Sequence, residues 1–214
     1  MDVIHEKLTK IKEIRYRMKK IMFNDRYGLT QAVIEGRKTM TRRLVPWALT
    51  EQWMEFVSDA PSVGGVYVHE SEKEFYEREA PRYKVGEVVA VAQRYQDIFD
   101  YSNCVNPYAW EDDDKPSGWT NKMLTKAELM PHQIRITGIK CERLQDISEE
   151  DCMKEGILGD VEYDKYEVYG LFGNSDDGFD TPREAFASLI DKVSGRGTWK
   201  RNPWVVAYEF ELVK

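Results

Sequence analysis

Gly36-Arg37-Lys38-Thr39-Met40-Thr41-Arg42-Arg43 packs four cations and two hydroxyls into eight residues of a chain whose formal net charge is -7 and whose pI is near 5.2. An acidic chain does not coat nucleic acid by phosphate neutralisation alone, yet a basic groove depends on local rather than total charge. This segment is the strongest candidate for such a groove. Working outward, Leu29, Ala32 and Val33 precede it at helical spacing, and Gly36 stands where a helix C-terminus uses glycine. Arg37 and Lys38 would there complement the negative end of the helix dipole, so capping and surface charge are one reading of them.

The 214 residues suffice for one domain with insertions or two small ones. Hydrophobic residues make up 42% and charged residues 32%, which fits a soluble globular protein. No apolar run approaches the roughly 18 residues of a membrane span, and no signal-peptide pattern opens the chain, so the expected location is the cytoplasm, away from membranes. Cys104, Cys141 and Cys152 are odd in number and lack paired spacing, which argues against a disulfide framework or a zinc knuckle. His5, His69 and His132 are scattered, and nothing in the pattern calls for a metal or another cofactor.

Residues 1–20 carry Ile4, Leu8, Ile11 and Met18 at helical spacing among many lysines and arginines. A basic helix of this kind either touches RNA or a membrane surface or packs on the body by one stripe. Ile21-Met22-Phe23 is a short strand type, followed by Asn24-Asp25 as candidate N-caps. Residues 47–82 read as a surface insertion, with one helix around Trp47, Trp53 and Phe56 and one strand at Val66-Tyr67-Val68. Val88 to Ala92 is a buried strand by its β-branched content. Residues 96–130, with their Asp112-Asp113-Asp114 run, form a long acidic loop. In His132 to Leu144, Ile134 and Ile136 share one face while Ile139 and Cys141 share the other, which predicts a bulge at Gly138. Ser148-Glu149-Glu150-Asp151 has the form of a capping box with Asp in place of Glu, and Gly156 closes its helix. Residues 158–180 read as a loop or lid. Thr181-Pro182-Arg183-Glu184 opens a helix whose apolar face is Ala185, Phe186, Leu189, Ile190 and Val193. In the final strand, Val206, Tyr208, Phe210 and Leu212 alternate with Glu209 and Glu211, predicting one wet and one dry face. Short strands with short helices between them make an α+β domain around a small barrel or curved sheet.

Gly36-x-Lys38-x-x-x-x-Arg43, inside "EGRKTMTRR", resembles the signature of ASCH domains, which have a PUA-like β-barrel fold. The order of "KVGEVVAV", "RITGIKCERLQDISEEDCMKEGI" and "NPWVVAYEFELV" is similar to the larger phage and prophage members of that family. The resemblance implies one ASCH-type, PUA-like domain over 18–214, with flanking short helices and insertions at about 47–82, 96–130 and 158–180. Residues 1–17 would then be an N-terminal helical extension. Where many large relatives carry an Arg-Glu pair, this chain has Ala92-Gln93, so any role of that carboxylate is absent.

One bacterial branch of the family hydrolyses N4-acetylcytidine with a Lys, a Thr three residues later and a Glu from a short helix. This sequence is similar at Lys38, Thr41 and Glu155. The resemblance thus implies an amidohydrolase in which Thr41 attacks the acyl carbonyl, Lys38 takes its proton and Glu155 protonates the leaving amine, without a metal. A threonine hydroxyl needs such a base, and the neighbouring arginines would lower the Lys38 pKa by like-charge repulsion. Glu155, at the negative end of its helix, would be held protonated. Lys38 and Thr41 would point to opposite faces of a regular strand, so they converge only if 38–41 turns or bulges. The alternative is a non-catalytic module for RNA or a modified nucleotide. In it Arg37, Arg42 and Arg43 clamp phosphate, and Tyr95, Trp199 or Trp204 stacks on bases.

Overall fold

The computed structural model describes residues 18–59, 70–98, 117–160, 164–171 and 178–213. The expected N-terminal extension, the Val66–Val68 strand, the acidic run at 112–114, His5, His69 and Cys104 lie outside them. In chain order the elements are β1 (Lys20–Ile21), α1 (Leu29–Ile34), β2 (Met40–Leu44), α2 (Trp47–Asp59), α3 (Glu72–Glu79), β3 (Val88–Val91), α4 (Tyr95–Ile98), β4 (Gln133–Arg143), α5 (Glu149–Lys154), β5 (Leu158–Asp160), β6 (Lys165–Glu167), α6 (Pro182–Ser194), α7 (Thr198–Arg201) and β7 (Trp204–Val213). This is a mixed α+β fold. Among the described residues no helix is long and apolar enough to cross a membrane.

The chain divides into two compact units, one up to Met22 and from Val88 to Gln133, the other from Phe23 to Glu87 and from Ile134 onward. In the first, β1 pairs in parallel with β3, and Ala90, Ala127 and Met130 are buried together beside Met18, Tyr95 and Ile98. The Lys20 ammonium donates to the carbonyls of Lys122, Met123 and Thr125, which ties the following segment to the strand pair. His132 Nδ1 meets Gln93 Oε1 at 2.9 Å.

In the second unit β7 lies between β4 and β2, and β2 runs antiparallel to it with Thr41 opposite Tyr208 and Arg43 opposite Val206. Val205, Val206, Ala207 and Tyr208 are all buried, so β7 is dry on both faces in its first half. The expected alternation of wet and dry sets in only at Glu209, which is exposed while Phe210 is buried. The cause is packing on both sides at the end next to β2, where apolar residues are continuous. Along β4 burial moves from Ile134 and Ile136 to Cys141, so the change of phase falls around Gly138, as expected. A Cβ there would lie 2.8 Å from Oε2 of the exposed Glu209 side chain, which would have to swing aside.

The charged stretch 71–82 is not an irregular insertion throughout. Ser71 and Glu74 form a reciprocal capping box, and α3 buries Phe75 and Tyr76. Phe75 packs against Trp53 and Phe56 of α2 at ring distances of 5.4 and 6.3 Å. Helix α6 forms as expected: Thr181 accepts from the Glu184 amide, Pro182 occupies the first turn, and Ala185, Phe186, Leu189 and Ile190 are buried.

Candidate functional site

Helix α1 ends at Ile34, and Gly36 takes a left-handed φ of 74° with open space around it, so its backbone alone requires glycine. The chain then turns back: the Lys38 amide donates to Ala32 O at 2.9 Å and the Thr39 amide to Lys154 O at 3.0 Å. Strand β2 begins only at Met40. Lys38 therefore lies before the strand, which removes the conflict between positions 38 and 41. Thr41 and Arg43 share a strand face, and both line a pocket with Lys38.

The opposite wall comes from α5. Ser148 accepts from the Asp151 amide at its N-terminus, and Glu155 is its C-cap. The expected capping box is only half formed, because the Asp151 carboxylate accepts from Arg42 at 2.9 Å and Lys140 at 3.1 Å instead of returning to Ser148. Gly156, with φ 100°, passes 3.6 Å from the Lys38 stem, measured from where its Cβ would be. That clearance lets Lys38 reach the end of α5. Its ammonium donates to Glu155 O at 2.7 Å and to Glu155 Oε2 at 2.6 Å. A cation on the last carbonyls suits the helix dipole and satisfies acceptors that the helix leaves open.

Glu155 is shared. Its Oε1 accepts from Arg42 Nη1 at 3.1 Å, and Arg42 also holds Glu142 of β4 at 2.7 Å. The side chain of Arg42 is 0% exposed, that of Lys38 1% and that of Glu155 5%. Burial holds the Lys38 amine below the ordinary lysine value, against the pull of Glu155 and with Arg43 and Arg42 pushing the same way. The expected direction stands, but desolvation is the main cause and like-charge repulsion the lesser one. For Arg42, burial opposes the charge, yet Glu155 and Glu142 outweigh it and raise the value. Burial lowers Arg43, whose guanidinium lies 5.6 Å from the Phe23 ring centre.

The pocket has a volume of about 300 Å³. Its polar side is Lys38, Thr41, Arg42, Arg43 and Glu155, with Asn24 and Ser194 at the margin. Its apolar side is Phe23, Leu29 and Leu44 with Phe186, Leu189, Ile190 and Val193 of α6. The Thr41 hydroxyl has no hydrogen-bond partner among the described residues although the residue is buried. This volume and this mixture suit one small, flat, partly polar molecule.

The structure thus brings Lys38, Thr41, Arg42, Arg43 and Glu155 together, as the sequence predicts. The other candidates are elsewhere. Arg37 is half exposed, pairs with Glu35 at 2.6 Å and does not line the pocket. Tyr95 belongs to the first unit, where its hydroxyl accepts from the Lys126 amide. Trp199 packs on Phe186 under the Arg183 guanidinium, and Trp204 packs on Tyr76 under that of Arg143, 4.5 Å from the ring centre. Neither tryptophan lines the pocket, and an arginine covers one face of each. Sequence reasoning missed the α6 wall, although its apolar face was the signal, and missed Asp151 and Glu142. Among the described residues both thiols are buried, and burial pushes Cys141 up to about 11 and Cys152 up to about 12, which disfavours the thiolate. No group of three or more His, Cys, Asp or Glu among those residues is placed to hold a metal.

No family model and no curated protein sequence matches this chain. Solved structures similar to it include the following two. One is a protein from Enterococcus faecalis V583 described under the family DUF984, at 14% identity over 99% of this chain and 91% of that chain, with a TM-score of 0.40. The other is an ASCH domain from Lactobacillus crispatus JV V101, at 11% identity over 94% of this chain and 84% of that chain, with a TM-score of 0.34.

Proposed function

We propose that this chain is an ASCH-type, PUA-like protein that hydrolyses the amide of an N4-acylated cytidine-like nucleoside or base. The observation that carries this reading is the buried contact of 2.6 Å between Lys38 and Glu155, on a pocket that the unpartnered Thr41 hydroxyl also lines. A lysine serves as a base only when neutral, and its burial favours the neutral amine. Passing one proton along the short contact turns the ion pair into an amine and a carboxylic acid, the forms that a base and an acid catalyst require. Thr41 Oγ then adds to the acyl carbon while Lys38 takes its proton. The C–N bond breaks as Glu155 gives its proton to the departing amine, and water releases the acyl group from Thr41 as a carboxylic acid. Arg43 on the same strand face supplies positive charge for the oxyanion. The apolar α6 wall and Phe23 suit the flat base.

Incubation with N4-acetylcytidine, followed by ultraviolet absorbance, tests the proposal. Turnover is expected, and Thr41→Ala is expected to lower kcat at least about 10²-fold with binding retained, the scale of one lost catalytic group. Binding without any spectral change would instead select a second reading, a module that holds a modified nucleotide in the same pocket. One observation favours that reading: the Lys38 ammonium is bonded to Glu155 and not to Thr41.

A further inference from the structure

The sequence pattern marks Arg42 as a phosphate contact, but its surroundings point elsewhere. Its guanidinium is fully buried and its donors are taken: Nε and Nη2 by Glu142, Nη2 also by Asp151, Nη1 by Glu155 and by Met40 Sδ. Little donor capacity is left for a ligand. Lys140 bonds both Glu142 and Asp151 at 3.1 Å, and Lys154 approaches Asp151 at 3.5 Å. Lys38 faces Glu155 from α5 and Arg42 and Arg43 from β2, with the Phe23 ring centre 5.9 Å away.

Glu155 therefore has two cations of different character. Lys38 can release its proton inside a protein, and Arg42 cannot. We propose that Arg42 is a positioning residue for the proposed hydrolysis: anchored by Glu142 and Asp151, it holds the Glu155 carboxyl against Lys38 and repels the Lys38 charge, so that the amine reaches its neutral form. The three carboxylates satisfy the donors of a buried guanidinium and at the same time place charge around Lys38. The field at Lys38 is thereby set from outside the pair, with Arg42 repelling its charge and Asp151 and Glu142 moderating that repulsion.

This inference rests on the amidohydrolase reading, and its test separates the two. In protein labelled with 13C-lysine, the Lys38 signal is assigned by its loss in Lys38→Met, and its titration is followed by NMR beside the pH profile of kcat/KM on N4-acetylcytidine. Removing the Arg42 charge should raise the Lys38 midpoint, since a repelling cation is gone and Glu155 then pairs with Lys38 alone. Arg42→Gln should shift both the titration and the acid limb of the profile upward by about one pH unit, with KM nearly unchanged. Asp151→Asn should shift both downward, because Arg42 is then less neutralised. It is an isosteric change, and it decides the matter if Arg42→Gln does not fold. A rise in KM with no shift would return Arg42 to ligand binding, and a loss of rate equal at all pH values would make it merely structural; either overturns the inference. If no hydrolysis occurs but the NMR midpoints move oppositely in the two variants, the hydrolase reading fails and the coupling of Arg42 to Lys38 stands. Midpoints that stay put with hydrolysis intact sink the inference alone.

Discussion

Lys38 and Glu155 are not equivalent halves of a pair. Glu155→Ala would strand the Lys38 ammonium and part of Arg42 in the interior, and breaking a buried pair in this way costs about 3–5 kcal/mol. Lys38→Met leaves Glu155 its Arg42 contact, so the loss should be about half as large; urea denaturation of both variants measures the difference, and equal losses would contradict the shared-carboxylate geometry. Lys38 also fixes a sign in the pH dependence. Its folded value lies below the ordinary lysine value of about 10.4, so between the two the unfolded chain holds a proton that the folded chain has released. Stability contributed at this position must rise with pH through that window. The difference in unfolding free energy between wild type and Lys38→Met should grow from pH 8 to pH 10, whereas a flat or falling difference would mean that the amine titrates normally. Lys38, Thr41 and Glu155 were legible as a set through the family resemblance. The partners of Arg42 were not, because Glu142 and Asp151 lie 100 and 109 positions away and no local rule links them to it.

At the scale of elements, the readable parts were those with short-range causes. Gly36 after α1, Ser148 before α5 and Thr181-Pro182 before α6 each act over three or four residues; Gly36 and Thr181-Pro182 do what their patterns imply, and Ser148 caps its helix without the reciprocal half of the box. Helix α3 was missed because six charged residues in its eight positions obscure the two aromatics that bury it. The Ser71-Glu74 box was the overlooked signal. The capping half that failed at α5 is informative, since Asp151 gives up its helix partner for Arg42, leaving Ser148 as the side-chain cap. Ser148→Ala should therefore cost about 1 kcal/mol by chemical denaturation and should also slow the reaction, because α5 carries Glu155. Gly36→Ala provides the contrast. It meets no neighbour within 4 Å and only strains the backbone, so a comparable loss of stability, about 1–2 kcal/mol, should come without any change in KM.

For the whole molecule, an acidic protein with a basic motif first suggests attraction to polyanions, and the geometry weakens that expectation. Arg37 is matched by Glu35, Lys38 by Glu155 and Arg42 by three carboxylates, so most of the motif's charge is spent inside the chain. Binding of a short single-stranded RNA should accordingly respond weakly to salt, with a log–log slope of magnitude below about 2; a slope several times steeper would reveal a phosphate-binding surface elsewhere.

The contact between Lys38 and Glu155 joins residues 117 positions apart. Closing so long a loop costs entropy before the contact returns anything, which places its formation late in folding. While the chain is still collapsing, both groups remain solvated as an ordinary amine and an ordinary carboxylate. The pair would then guard the exit from the native state more than it guides entry to it. Removing either partner should raise the unfolding rate across the unfolding limb of a chevron plot and leave the refolding rate nearly constant, so that the proposed site also sets the lifetime of the folded protein.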